Sequence, residues 1–352
     1  DQNFTARKVQ TSSIFNDLNQ VIVTKLVCFI GTSLTQNFIV PNILLLSSAL
    51  LMYCSVMKKL QTPSAIGLSL ALFGALLLTP DTLFMRLSEL DGFTMLMWRG
   101  GLSGVGYILI WAWFTLRLEL KMPNVLTLSF GIVVICQIIN ATFFSLAIAI
   151  APVTIVLISV ATAPIFSAIL SWFFLGETLS KFSIGTAIFV LLGLYISVLG
   201  EQSTLIELDA STLLGALLGL GVAFSLAMNF TIIRKDKDVP FVLAIGIGAL
   251  LAGSLGLLFA DNIYWPPMKN IAAIAVTGII ILPVSFCTLS YAARYVSSST
   301  VSLIMLLETV LGPLWIWWGI GEAPTNAMLI GGAIVIFCLT AFLINQGRKR
   351  PN

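Results

Sequence analysis

Long apolar segments with very little internal charge follow one another along most of this chain. From residue 62 onward there are ten, at 64–84, 92–115, 125–148, 153–175, 182–200, 211–233, 240–260, 270–291, 297–319 and 326–345. Each is close to the roughly 20 residues with which a helix crosses about 30 Å of hydrocarbon. The runs are continuous rather than alternating, which favours helices over barrel strands. The sequence therefore predicts an all-α integral membrane protein with ten transmembrane helices.

Composition supports this fold class and excludes several functions. Of 352 residues, 58% are hydrophobic and only 9% charged, whereas soluble domains carry roughly 25% charge. This argues against a soluble enzyme and a nucleic-acid-binding protein. The chain has no histidine, which removes imidazole catalysis and His-ligated metals. Five cysteines lie far apart in apolar stretches, without metal or disulfide spacing: Cys28, Cys54, Cys136, Cys287 and Cys338. We expect neither a cofactor nor a metal.

The distribution of basic residues predicts the orientation. If the tenth span ends in the cytoplasm, the inner connections hold twelve basic residues: Lys58, Lys59, Arg117, Lys121, Lys181, Arg234, Lys235, Lys237, Arg294, Arg348, Lys349 and Arg350. The outer connections then hold only Arg86 and Lys269. An excess of Lys and Arg marks cytoplasmic loops. Ten spans therefore place both ends of the core in the cytoplasm, in a bacterial cytoplasmic (inner) membrane.

The first 56 residues differ from the rest of the chain. A polar lead is followed by two interrupted apolar patches, and then Met57-Lys58-Lys59 resembles the start of a bacterial membrane protein. One hypothesis is that residues 1–56 are a non-native extension and that the protein starts at Met57. The alternative is an eleventh helix near 38–56, which would place the N-terminus outside.

The ten-span core contains an internal repeat. The fourth span ends at Gly176-Glu177 and the ninth at Gly321-Glu322, and each pair is followed by a Gly-containing last span. The separation of 145 residues corresponds to five spans. Because five is odd, the second copy is predicted to be inverted, as in many secondary transporters. We expect an N-terminal extension at 1–61, repeats at 62–200 and 201–346, and a basic cytoplasmic tail at 347–352.

These features together resemble the EamA-like branch of the drug/metabolite transporter (DMT) superfamily. The stretch 306–315 (LLETVLGPLW) is similar to that family's ninth-helix pattern, with Thr309 where a proline is often found. Trp98-Arg99 in the second span is similar to the family's usual arginine there. The resemblance covers about 62–345. It implies a ten-helix carrier of small organic solutes, often an exporter, that works by alternating access.

Glu308 is the strongest candidate functional residue, because it lies near the middle of the ninth span. An ionised side chain at that depth is costly, so it indicates a partner or a purpose. Burial favours the neutral carboxyl, which suits reversible protonation in proton-coupled transport. The alternative is a structural carboxyl that bonds a neighbouring helix.

Arg99 and Asp81 are predicted to pair across the short loop between the first two spans. Such a pair is either a fixed contact or an outer gate, and Arg99 is also suited to binding an anionic substrate group with two hydrogen bonds.

Further polar and aromatic residues were selected as candidates to orient or stack on a solute. The polar ones are Gln137 and Asn140, which share a helical face because they are three residues apart, and Asn229. The aromatic candidates are Trp98, Tyr107, Trp111 and Tyr291. Helix–helix hydrogen bonding or ordinary packing is the alternative for each. Glu177 and Glu322 are interpreted as caps of helix turns.

The sequence favours a secondary carrier over two alternatives. A lipid-modifying membrane enzyme lacks support, because there is no nucleophile elbow, phosphate loop or zinc-binding motif. A channel or a scaffold remains the second alternative, although no filter sequence is present. The expected partners are a small amino-acid-like, nucleobase-like or toxic amphipathic solute, the lipid bilayer and protons as a candidate coupling ion. A monomer and a homodimer are both compatible with the sequence.

Overall fold

The structure is a computed structural model that describes residues 63–117, 125–151, 153–177, 181–199, 210–260, 266–321 and 326–348. The hypotheses about a start at Met57 and a helix near 38–56 fall outside these residues, as does Glu322. Contacts divide the chain into two units, 1–66 and 67–352. Residues 63–66 of the first unit form the start of a helix, and the second unit contains everything described below.

The described ranges contain helices and no strand. The helices are α1 (Pro63–Leu78), α2 (Asp81–Leu87), α3 (Gly92–Arg117), α4 (Leu128–Ile150), α5 (Val153–Val160), α6 (Ala163–Leu175), α7 (Lys181–Leu199), α8 (Ala210–Lys235), α9 (Phe241–Phe259), α10 (Met268–Ala275), α11 (Leu282–Ala292), α12 (Ser298–Met305), α13 (Leu307–Ile320) and α14 (Asn326–Arg348). A π-helical segment, Val276–Ile281, joins α10 to α11.

Every predicted span coincides with one helix or with two consecutive ones. Within the described residues, seven stretches are long and apolar enough to cross a membrane: Pro63–Leu87, Leu128–Ile150, Ile155–Leu175, Ala210–Lys235, Phe241–Phe259, Met268–Ala292 and Ser298–Ile320. The all-helical, multi-pass character predicted from the sequence is therefore confirmed. The count of ten spans stays a prediction, because α3, α7 and α14 fall outside those seven.

Four predicted spans are interrupted, and the first interruption lies between α1 and α2. Pro80 has no backbone N–H, so the carbonyl of Leu76 loses the donor that a continuous helix would give it. Thr79 replaces that donor, with its backbone N–H at 3.3 Å and its hydroxyl at 2.8 Å from the Leu76 carbonyl oxygen. The interruption therefore leaves this carbonyl satisfied, as a low-dielectric membrane interior requires.

A threonine hydroxyl also lies at each of the other three interruptions. In each case the hydroxyl donates to the carbonyl three residues earlier: Thr162 to Ser159 at 2.6 Å between α5 and α6, Thr277 to Ile274 at 2.9 Å in the π-helical segment, and Thr309 to Leu306 at 2.7 Å at the start of α13. Two of these interruptions are equivalent in the predicted repeats, since the turn residues Ala161 and Leu306 differ by the same 145 residues as Gly176 and Gly321.

Helices α3 and α9 approach each other along glycines. A Cβ added at Gly100 would lie 2.8 Å from the backbone N of Gly253 and 2.9 Å from the carbonyl of Ala249, and one at Gly256 would lie 2.5 Å from the N of Met97. Backbone therefore meets backbone at this crossing. Small residues drive such packing in membranes, where lipid provides no hydrophobic attraction between helices.

Polarity is distributed in the opposite way from a soluble protein. Large apolar side chains are exposed along the helices, among them Leu109, Trp113, Phe173, Leu258 and Phe337. Serine and threonine side chains are buried between helices. For example, the hydroxyls of Ser167 in α6 and Ser302 in α12 are 2.7 Å apart. This arrangement suits a protein whose outer surface faces lipid.

Candidate functional site

A cavity lies where the interrupted helices meet. Leu78 and Asp81 flank the interruption between α1 and α2, and Val160 precedes the one between α5 and α6. Met305 and Glu308 flank the junction of α12 and α13. Leu282, directly after the π-helical segment, also lines the cavity. All four interruptions thus contribute to one site, which is typical of transporters that bind solute near the membrane midplane.

The cavity has a mixed polar and apolar lining. In this conformation its volume is about 40 Å³, which is smaller than that of typical small-molecule sites. Helices α3, α4 and α8 complete the wall. The lining side chains that the interruptions do not supply are Leu96, Arg99, Ser103, Tyr107, Gln137, Asn140, Ala141, Phe144, Ser145, Val222, Leu226 and Phe286.

The predicted pairing of Arg99 with Asp81 is confirmed. Arg99 Nη2 donates to Asp81 Oδ2 at 2.5 Å, and the two side chains are 8% and 1% exposed. The guanidinium carbon of Arg99 also lies 5.4 Å from the centre of the Phe144 ring, a cation–π contact. Two atoms of the pair stay without a hydrogen-bond partner, Asp81 Oδ1 and Arg99 Nε.

Glu308 lies in the same cavity, in the first turn of α13. It is 7% exposed and interacts electrostatically with both Asp81 and Arg99. Arg99 already has its ion pair with Asp81. Among the described residues, the cavity lining holds two carboxyls and one guanidinium.

The cavity also brings together three of the predicted polar and aromatic candidates. Gln137 and Asn140 line it from one face of α4, as their spacing predicts, and the side-chain oxygen of Gln137 is buried without a partner. Tyr107 lines it from α3, and its hydroxyl donates to the Leu282 carbonyl at 2.8 Å. Tyr107 thus also holds the start of α11.

Four candidates lie away from this cavity. Asn229 is 1% exposed within α8, but it is not part of the lining. Trp98 and Trp111 are half-buried on α3, outside the lining. Tyr291 packs edge-on against Tyr295, with 5.4 Å between ring centres. Sequence alone places a residue at a depth in the membrane, but not on a particular face of its helix.

Several cavity residues were not anticipated from the sequence. Phe144 and Phe286 supply aromatic surface, and Ser103 and Ser145 supply hydroxyls. Phe144 and Ser145 lie one to two helical turns beyond Gln137 and Asn140, so the face shared by those amides was the available signal. Phe286 follows Pro283, a proline inside an apolar span, which marks an interrupted helix.

A second polar cluster lies at the ends of α6, α8 and α11. We call it the Arg234 cluster: Glu177, Arg234, and the carbonyls of Ala293 and Val296. Arg234 Nη2 lies 2.6 Å from Glu177 Oε1, and its Nη1 donates to the Val296 carbonyl at 2.7 Å and the Ala293 carbonyl at 3.4 Å. Glu177 does contribute to the turn that ends α6, because its backbone N–H donates to the Ser171 carbonyl at 3.3 Å, but its side chain forms an ion pair. Gly176 begins that turn, with a φ of 66°.

The comparison with known families decides the identity. The sequence profile of the EamA-like transporter family matches this chain twice, over residues 65–199 and 213–344. The chain belongs to the EamA-like transporter family. It is accordingly a multi-pass membrane protein of the DMT superfamily, and the resemblance seen in the sequence is confirmed.

Individual relatives agree with this assignment. A protein named uncharacterized transporter YdfC, from Bacillus subtilis strain 168, is 27% identical over 201 residues, which is 54% of this chain and 63% of the relative. The chain thus spans less than two thirds of that relative's length. A solved crystal structure shares the fold with a TM-score of 0.66 at 18% identity, over 81% of this chain and 99% of the other.

Proposed function

We propose that this EamA-like transporter is a secondary carrier that moves a small organic solute across the bacterial cytoplasmic membrane by alternating access, in the export direction. The observation that carries the proposal is the cavity at which four interrupted helices of the described residues meet. Helix interruptions supply bending points, which a solute site between moving halves requires.

We propose further that the two matched repeats have opposite orientations, with both ends of the core in the cytoplasm. The parallel between the two repeats supports this, because α6 and α13 both follow an interruption and both end at a left-handed glycine, Gly176 and Gly321. Cysteines introduced at Lys181 and Glu322 test it. We expect membrane-impermeant maleimide to label them from opposite sides, and labelling from one side would contradict the inversion.

Closure on the cytoplasmic side is assigned to the Arg234 cluster. In the proposed orientation all of its members face the cytoplasm. It connects Glu177 of the first repeat with Arg234 and the 293–296 turn of the second. A carrier that works by alternating access needs contacts between its two halves that close the cavity on one side of the membrane while it is open to the other side.

Proton coupling is assigned to Glu308. Its carboxyl is nearly buried beside Asp81 and Arg99 in the solute cavity. Binding of a proton there changes the charge of the cavity itself, so solute and proton occupancy are linked. Asp81 forms an ion pair with Arg99, which leaves Glu308 as the lining carboxyl that is available to bind a proton.

The test of the carrier is saturable counterflow. Purified full-length protein is reconstituted in liposomes preloaded with one solute from a metabolite series that a thermal-shift screen selects. We expect radiolabelled solute outside to accumulate transiently, with an uptake rate that saturates. Flux that rises linearly with concentration would identify a channel, and no flux for any solute that binds would identify a non-transporting protein.

A further inference from the structure

The cavity holds one carboxyl more than it holds cationic groups. We propose that its solute is a small amine with one net positive charge that also carries a neutral oxygen acceptor, such as an amino alcohol, and not a zwitterion or a neutral molecule. The route of this solute rests on the proposed function, whereas its chemistry rests on the groups that line the cavity.

The charges of the cavity lining indicate that the solute is positively charged. Among the described residues of the lining, Arg99 is the single cationic side chain, and Asp81 neutralises it at 2.5 Å. Glu308 is left with no hydrogen bond or ion pair to another described residue. A carboxylate in a site of low dielectric is stable only with a positive partner. A protonated amine supplies one positive charge and restores neutrality.

Buried hydrogen-bond acceptors without a partner also indicate a solute with an ammonium group. Asp81 Oδ1 and the side-chain oxygen of Gln137 are buried and accept no hydrogen bond, and both residues line the cavity together with Glu308. A primary ammonium group carries three donors. It therefore pairs with acceptors whose burial without a partner is costly.

The N–H donor without a partner, Arg99 Nε, indicates that the solute also carries an oxygen acceptor. Arg99 Nε is buried without an acceptor among the described residues, while the guanidinium carbon lies 5.4 Å from the centre of the Phe144 ring. A hydroxyl or carbonyl oxygen accepts from Nε without adding charge. A solute carboxylate would bring a third negative group beside Asp81 and Glu308 and would leave the loaded cavity with a net negative charge.

Apolar residues define the rest of the solute. Leu78, Leu96, Leu226, Phe286 and Met305 line the remaining wall. An aliphatic or aromatic group of the solute buries its surface there, as is typical of small-molecule sites.

Three solutes with the same isobutyl group separate the possibilities: leucinol, a monocation with a hydroxyl; leucine, a zwitterion; and N-acetylleucinol, which is neutral. The unaltered full-length protein in detergent is titrated with each while its melting temperature is followed. We expect leucinol to bind at least about tenfold more tightly than the other two, as a charge-assisted hydrogen bond predicts. Equal binding of the three, or tighter binding of leucine, would overturn the proposal.

A matched pair of variants assigns the preference to the cavity. Glu308→Gln removes the excess negative charge, so we expect the tenfold preference to disappear. Glu89→Gln removes a carboxyl from an exposed turn outside the cavity, and we expect the preference to be unchanged. A preference that survives in Glu308→Gln would contradict the role of Glu308. If that variant does not fold, the solute series on the unaltered protein still decides.

Failure of this inference differs from failure of the proposed function. Saturable counterflow of leucine or N-acetylleucinol, without leucinol, would leave a carrier and overturn the charge preference. Selective binding of leucinol without counterflow of any solute would support the charge preference and overturn the carrier.

Discussion

Asp81 and Arg99 show what can be read from single residues in a membrane sequence. Both are charged, both lie in apolar segments and a short turn joins their helices, so the sequence is sufficient to predict that they pair. The structure adds that one oxygen of Asp81 accepts from Arg99 and that the Phe144 ring lies 5.4 Å from the guanidinium carbon. Which polar atoms stay without a hydrogen-bond partner depends on how each helix is rotated about its axis. The identity of a single residue does not give that rotation.

Glu308 is the residue at which coupling is tested. We expect Glu308→Gln to abolish solute accumulation driven by a pH gradient while counterflow at saturating solute continues, because the amide keeps the shape of the side chain but does not titrate. The measurement is uptake into proteoliposomes with and without an imposed pH gradient. Glu89→Gln, in the exposed turn, is the control and should accumulate solute normally. Unchanged gradient-driven accumulation in Glu308→Gln would contradict proton coupling at this residue.

At the scale of the elements, apolar periodicity predicts where helices lie better than where they are interrupted. Prolines at 80, 164 and 283 signal three of the four interruptions. The fourth, at Leu306, has no proline beside it, and the hydroxyl of Thr309 bonds to the Leu306 carbonyl instead. A threonine in a helix usually makes a similar bond without interrupting it, so the sequence around 306 looked like a continuous span.

Two adjacent glycines of α3 provide a matched test of the α3–α9 crossing. A Cβ at Gly100 would meet the backbone of α9 at 2.8 Å, whereas a Cβ at Gly101 has nothing within 4 Å. We expect Gly100→Ala to destabilise the fold by about 1–3 kcal/mol, because backbone has no room to move aside. Gly101→Ala should be neutral or stabilising by up to about 1 kcal/mol, from helix propensity.

The measurement for this pair is the apparent melting temperature of each purified variant in detergent, together with its recovery as a monodisperse peak. Equal melting temperatures for the two variants would show that α3 and α9 do not depend on close contact at Gly100.

At the scale of the whole molecule, the internal duplication was readable because Gly-Glu pairs recur after apolar runs at a fixed separation. The double match to the EamA-like profile confirms two repeats. The contacts between the two repeats could not be predicted from the sequence. Arg234 and Glu177 are 57 positions apart, and nothing local to either residue indicates the other as its partner.

The Arg234 cluster gives a prediction about access to the cavity. In a cysteine-free background, Ser103→Cys places a reporter in the cavity lining. We expect Glu177→Gln to increase severalfold the rate at which membrane-impermeant maleimide labels this cysteine from the cytoplasmic side, because loss of the ion pair weakens closure there. Inside-out vesicles provide that side, and right-side-out vesicles the other.

Glu89→Gln is again the matched control, since it removes a carboxyl outside the cluster. No change in labelling with Glu177→Gln, or an increase only from the external side, would show that the cluster does not close the cytoplasmic side.

The threonines at the four interruptions have a mechanical consequence. A hydroxyl turns about a single Cα–Cβ bond, so it follows its carbonyl when the two halves of a helix change their angle, whereas a rigid backbone N–H loses its acceptor. We therefore expect these joints to bend at little enthalpic cost. The resistance to movement of the two repeats against each other would then come from side chains that interdigitate around the cavity. A solute that binds there is able to change this packing.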